Sequence, residues 1–235
     1  MSSHLLALIP AYNESAAIGR VVTETLRHLP ALVVDDGSTD NTASLAAAAG
    51  ATVLVQNPNQ GKGAALRRGF VYALENGFDG VIALDGDSQH DPAEIPAFAA
   101  LFEREPPDLI IGHRSFAEMP FWRWLGNNLG FRIFSWAIGT HILDNQSGYR
   151  LVSRRLMERL LGAKESGYEF EMEQIVSCVE AGYTLAWTPI RTIYAGEASY
   201  IRPIPHIVNF VRVAWQTKVR LKRAGVRPPP ASTRY

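Results

Sequence analysis

Four short apolar runs in the first half of this chain each end in a cluster of polar or charged residues. Leu5–Ile9 leads into Pro10-Ala11-Tyr12-Asn13-Glu14, and Leu32–Val34 leads into Asp35-Asp36-Gly37. Val81–Leu84 leads into Asp85-Gly86-Asp87, and Leu109–Gly112 into His113-Arg114. Helix-like stretches separate the runs: Ala16–His28, Thr42–Ala49 with Asp40 as its N-cap and Gly50 as its stop, and Gly61–Asn76 closed by Gly77. Thr52–Gln56 reads as one further strand, and a helix opens near Asp91-Pro92. Strands alternating with helices predict right-handed βαβ units and a mainly parallel sheet flanked by helices. In such an open sheet ligands bind outside the carboxyl ends of the strands. The polar clusters therefore predict one site along one edge.

The second half reads differently. Pro120–Leu143 is rich in aromatics (Phe121, Trp122, Trp124, Phe131, Phe134, Trp136) and nearly free of acids. Glu158–Leu161 and Glu169–Ala181 look helical, Tyr183–Pro189 looks like a strand, and Ile207–Arg223 has the spacing of an amphipathic helix. The expected organisation is one domain over residues 1–200, a basic C-terminal helix over 201–227 and a disordered tail over 228–235.

Charge adds a second asymmetry. The chain of 235 residues balances 23 Lys and Arg against 23 Asp and Glu. Yet residues 198–235 contain eight cations and no acid, so an acidic body carries a basic tail. The neutral total argues against a nucleic-acid partner; a basic tail beside tryptophans predicts docking on an anionic membrane surface, the competing reading being that the aromatics build a dimer interface or a core subdomain. No apolar stretch reaches the roughly 18 residues of a spanning helix, and no charged n-region precedes a signal core. The expected location is the cytoplasm, peripheral on the cytoplasmic face of a membrane. A lone Cys178 excludes an intramolecular disulfide. Whether the chain forms a homo-oligomer stays open.

Asp85-Gly86-Asp87 sets two hard carboxylates on a tight turn after a buried strand, a donor set suited to Mg²⁺ or Mn²⁺ with phosphate oxygens and water completing the shell. Gln89 and His90 follow as a third ligand and a supporting group. Asp35-Asp36 carries one acid more than a turn requires, which points to a base or ribose contact. Asn59-Gln60-Gly61-Lys62-Gly63 lacks the spacing of a nucleotide-triphosphate loop, although its helix start and Lys62 can face an anion.

Together, Pro10–Glu14, Val34–Asp40, Asn59–Gly63, Asp85–His90 and Ile111–Arg114 resemble the inverting family 2 glycosyltransferases of the GT-A fold. Within that family the likeness is to the dolichyl- and polyprenyl-phosphate mannosyl- and glucosyltransferases. It is specific over residues 5–115 and looser over 116–200, where Asp144-Asn145-Gln146-Ser147-Gly148-Tyr149 carries it. The resemblance implies that Pro10, Tyr12, Glu14, Val34 and Asp36 hold the nucleoside. It implies that Asp85, Gly86 and Asp87 meet the diphosphate and the metal, with Gln89 as a further ligand, and that Arg114 binds the nucleotide sugar. The basic element that usually reads Gly-Glu-Ser-Lys in these enzymes appears as Gly196-Glu197-Ala198-Ser199-Tyr200, with an insertion and without the lysine. Arg202 is then the residue expected to make that phosphate contact.

The expected activity is metal-dependent inverting transfer from a nucleotide sugar, GDP-mannose or a UDP-hexose, to a polyprenyl phosphate, with Asp87 and Arg114 at the chemistry. A phosphomonoester has a second pKa of about 6 and is largely dianionic at neutral pH, so it needs no general base. A hydroxyl acceptor needs one, and Asp144, Glu169 and Glu171 are the candidates. Arg150 and Arg132 are candidate contacts for the acceptor phosphate. A sugar-phosphate nucleotidyltransferase and a non-catalytic membrane scaffold are the alternative readings.

Overall fold

The computed structural model describes residues 3–114, 132–163, 167, 169–191 and 214–225. In chain order the elements are β1 (Leu5–Ala11), α1 (Ile18–Thr25), β2 (Ala31–Asp35), α2 (Thr42–Ala48), β3 (Thr52–Val55), α3 (Lys62–Glu75) and β4 (Gly80–Ala83). A 3₁₀ turn (Pro92–Glu94) leads into α4 (Ile95–Arg104) and β5 (Leu109–Arg114). Then come helical residues 132–138 (α5), β6 (Arg150–Ser153), α6 (Arg154–Leu160), α7 (Glu169–Glu180), β7 (Leu185–Ile190) and helical residues 214–223 (α8).

The seven strands form one mixed sheet in the order β3-β2-β1-β4-β6-β5-β7. All neighbours are parallel except β6, which runs antiparallel to both β4 and β5. Side chains of a strand alternate between faces, and here both faces are apolar. Leu6, Leu8, Leu32, Val34, Val81 and Ala83 face a cluster that contains Leu66 and Phe70 of α3, Met157 of α6 and Phe170 of α7. Leu5, Ala7, Ile9, Val33 and Ile82 face the opposite cluster, built on Ile18 and Val22 of α1 and Phe98 of α4. Burial on both sides explains why these strands read as unbroken apolar runs.

This is the helix-flanked, mainly parallel sheet that the alternation predicts, with one strand unforeseen. Arg150–Ser153 pairs Ala83 with Arg150 and Ile111 with Arg150, filling the gap between β4 and β5. Its reversed direction places its start, and the preceding Asp144–Tyr149 loop, on the edge where β4 and β5 end. The helix expected at 158–161 begins earlier, at Arg154, where the Ser153 hydroxyl caps it. Asn41, not Asp40, occupies the cap position of α2, although the Asp40 carboxylate accepts from Thr42 N at 3.0 Å. Among the described residues no helix is long and apolar enough to cross a membrane. The expected basic helix over 201–227 is described only as 214–223, and the tail over 228–235 lies outside the described residues.

Candidate active site

Chain order reverses across β1: β2 lies on one side and β4 on the other. α1, which follows β1, packs on one face of the sheet and α3, which leads into β4, on the other, and ligands of such a sheet bind in the crevice at the carboxyl ends beside this switch. The Tyr12–Glu14 and Asp85–Asp87 turns emerge there. They abut at Gly86, whose Cβ position would lie 3.5 Å from Glu14 Cγ and 3.6 Å from Ala11 Cβ.

Backbone and short side chains hold the β1 and β2 turns together. Asn13 takes a left-handed conformation (φ 58°); its N–H donates to Ser38 Oγ at 2.8 Å and its Oδ1 accepts from Thr39 N at 2.8 Å. Glu14 N donates to Thr42 Oγ1 at 2.8 Å. Tyr12 is thereby presented to solvent, 48% exposed. Val34 and Pro10 are buried inside their strands, and the Val34 side chain lies in the core, so it can serve a ligand only through the strand end it stiffens.

Asp36 accepts from Gln60 N and Gly61 N, both at 2.8 Å, and from the Gln56 side chain. It therefore ties the glycine-rich loop to the end of β2. Gly37 permits this closure: at φ 76° it faces Asn59 N, which a Cβ would meet at 2.9 Å. Asp35 accepts from the Ser38 N–H and hydroxyl.

The loop so anchored starts α3 and delivers Lys62. Its Nζ lies 2.5 Å from Asp85 Oδ1 and 2.8 Å from Glu171 Oε1, a cation between two carboxylates rather than one awaiting an anion. Burial opposes the ammonium charge, but the two carboxylates outweigh it and hold Lys62 above its ordinary range. Burial likewise raises Asp85, and the charge and hydrogen bond of Lys62 override it and bring the carboxyl down to about 2. His90 Nδ1 accepts from Asp85 N at 3.0 Å, so that nitrogen carries no proton. The 3.7 Å approach of Asp85 Oδ2 to the same nitrogen is therefore not an ion pair. Gly148 closes over this group, since a Cβ there would sit 2.8 Å from Lys62 Nζ and 2.9 Å from Asp85 Oδ2.

Asp87 differs from Asp85. Its Oδ1 accepts from Gln89 N at 2.9 Å, which lowers its pKa. Burial first, and then the charge of Asp85, outweigh that bond and raise the carboxyl above its ordinary range. A cation beside it would relieve both. Among the described residues no three His, Cys, Asp or Glu side chains form a metal cage. Gln89 is exposed. The donor set accordingly fits a hard cation held chiefly by Asp87 and shared with phosphate oxygens.

Arg114 ends β5. Its Nε and Nη2 donate to Asp144 Oδ2 and Oδ1 at 2.8 and 3.1 Å. Asp144 is 0% exposed and also accepts from Gln146 N and Ser147 N. It orients the guanidinium and has no room to act as a base. Glu171 is engaged by Lys62; of the three candidate bases, Glu169 alone is exposed. Arg150 is no acceptor contact either: it is buried and donates to the carbonyls of Ser147, Asn145 and Glu171. Arg132 is exposed on α5. Arg202 and residues 196–200 lie outside the described residues. Sequence reasoning missed the Lys62–Glu171 and Arg114–Asp144 pairs, although each of the four residues stands in a motif quoted above or among the candidate bases.

Residues 7–161 match glycosyl transferase family 2. The chain belongs to that family. It is a glycosyltransferase. It is similar to a UDP-N-acetylglucosamine–dolichyl-phosphate N-acetylglucosaminyltransferase of Methanococcus voltae, 28% identical over 231 residues that cover 86% of this chain and 90% of the relative. It is similar to an undecaprenyl-phosphate mannosyltransferase of Micrococcus luteus, 28% identical over 79% of this chain and 82% of the relative. In fold it is similar to the crystal structure of glucosyl-3-phosphoglycerate synthase from Mycobacterium tuberculosis in complex with Mn²⁺, UDP-glucose and phosphoglyceric acid. That likeness has a TM-score of 0.71 at 21% identity and covers 99% of this chain and 88% of that one.

Proposed function

We propose that this glycosyltransferase moves a sugar from a nucleotide sugar, GDP-mannose or a UDP-hexose, onto a polyprenyl phosphate, with inversion, in the presence of Mg²⁺ or Mn²⁺. The observation that carries the reading is the crevice itself. Asp87, the clamped Lys62–Asp85 pair and the Arg114–Asp144 pair meet at the edge where β4 and β5 end. The names of the two relatives, both polyprenyl-phosphate transferases, support the acceptor class.

A divalent ion bound by Asp87, with Asp85 beside it, would neutralise the charge that builds on the departing nucleoside diphosphate. Arg114, aimed by Asp144, supplies a second fixed cation for the same charge. Tyr12, Glu14 and the end of β2 offer the nucleoside its contacts. Lys62 fixes the Asp85 carboxylate, and Gly148 packs against both. Two of the three carboxylates that could activate a hydroxyl are occupied by cations. This favours an acceptor that is already an anion over a sugar or alcohol.

The test is a donor panel of GDP-mannose, UDP-glucose and UDP-N-acetylglucosamine, with Mn²⁺ and either a polyprenyl phosphate or phosphoglyceric acid as acceptor. Sugar recovered in the lipid extract from one donor supports the reading. Transfer to phosphoglyceric acid alone, or pyrophosphate release from a nucleoside triphosphate and a sugar phosphate, overturns it.

A further inference from the structure

Among the described residues, α8 is fastened to the body along one side. Ala214 and Leu221 are buried, and Arg220 donates to Glu173 at 2.9 Å and to Glu180 at 2.8 Å, both acids of α7. The opposite side carries Trp215, 62% exposed, with Lys222 and Arg223. Trp215, Lys218 and Lys222 stand three and four residues apart and so share a face. Lys218 reaches over to α5, where its Nζ lies 3.2 Å from the ring centre of Trp136, itself 54% exposed. α5 is fixed in the same way, with Phe134, Ala137 and Ile138 buried beneath it. Two tryptophans on packed helices, bridged by a lysine and rimmed by Arg132, Lys222 and Arg223, thus form one exposed aromatic and cationic face.

We infer that this α5–α8 face seats the protein on an anionic lipid surface. Indole rings favour the headgroup region, and cations beside them gain from anionic lipid. A second copy of the chain is the poorer occupant, because a two-fold contact through this face would set like charges against each other. α5 also leads straight to the site: Ile142 N donates to Ser135 Oγ at 3.0 Å, and Asp144, the anchor of Arg114, is two residues on. The inference rests on the reading that the acceptor phosphate is carried in a lipid surface, which docking would bring to the edge of the crevice.

Co-sedimentation of the full chain with vesicles of phosphatidylcholine and phosphatidylglycerol tests it. Wild type should bind at low salt and be released at ~0.5 M salt, where the Debye length is only a few ångströms. Trp136→Ala with Trp215→Ala should weaken binding at least tenfold. Changing Lys218, Lys222 and Arg223 to Gln should weaken it about a hundredfold, roughly fivefold for each cation. Melting curves close to wild type would show that both variants fold. Wild type left in the supernatant at low salt overturns the inference, as does unchanged binding by both variants. So does loss of a dimer in sedimentation velocity while vesicle binding persists. Vesicle binding without transfer to polyprenyl phosphate would instead overturn the acceptor and leave the face standing.

Discussion

Asp144→Asn is the perturbation that separates a positioning residue from a base. The wild-type carboxylate is wholly buried and receives four hydrogen bonds, two from Arg114 and one each from Gln146 N and Ser147 N. Asparagine keeps one acceptor oxygen, which Gln146 N and Ser147 N will claim. Its NH₂ then faces the Arg114 Nε donor. Removing one partner of a fully buried ion pair costs about 3–5 kcal/mol. The Arg114 side chain retains 26% exposure and can recover part of its hydration, which lowers the expectation to about 2–3 kcal/mol. For a domain of this size that is a fall of about 4–12 °C in melting temperature. A guanidinium displaced by about 1 Å should also lower kcat about a hundredfold. Thermal melts and steady-state transfer assays read both, and the decisive readout is the pH profile. If Asp144 only aims Arg114, the residual activity keeps the wild-type profile. A variant of wild-type stability that has lost the acidic limb of the profile would refute this reasoning and restore Asp144 as a base.

Gly148→Ala should lower kcat at least tenfold while costing about 1–3 kcal/mol of stability, because the new methyl meets Lys62 Nζ and Asp85 Oδ2 inside 3.0 Å; transfer assays beside urea denaturation check it. Asn13→Gly, which loses only the Thr39 bond, should cost about 0.5–1.5 kcal/mol, and Asn13→Ala about 1–2 kcal/mol more, since Ala is strained at φ 58°; urea midpoints decide. Burial raises the Asp108 carboxyl, but Arg155, Thr184 and Ser153 outweigh it and hold it below its ordinary 3.8. The stability it contributes is therefore present above pH 3.8 and is lost as pH falls through the lower native value. Asp108→Asn should flatten that limb of an acid-unfolding curve and leave the neutral limb merely lowered.

What was legible in the sequence is what is local. Alternation of apolar runs and helical stretches revealed the sheet, and the polar and charged clusters after the runs marked its carboxyl edge. The strand Arg150–Ser153 escaped because four residues that include an arginine carry no periodicity, and because only the gap between β4 and β5 makes a strand of them. The roles of Lys62, Glu171 and Asp144 escaped for a related reason. A charge's partner is chosen by the topology, and Lys62 and Glu171 belong to helices that meet only once the sheet is assembled. Read alone, a lysine at a helix start suggests an anion site and a carboxylate suggests a base; folded, each neutralises the other's kind. Arg150 misled in the same way, since its exposure could not be read from its neighbours in sequence.

We propose that Asp87 holds a divalent cation against the diphosphate of the donor at the carboxyl edge of the sheet. Calorimetric titration of wild type and Asp87→Ala with UDP and GDP, each with and without Mn²⁺, tests it most directly. Manganese should tighten binding of one nucleotide to wild type by at least tenfold and have no such effect on the variant. Equal binding with and without the metal in wild type, or tightening that survives in Asp87→Ala, would contradict the account.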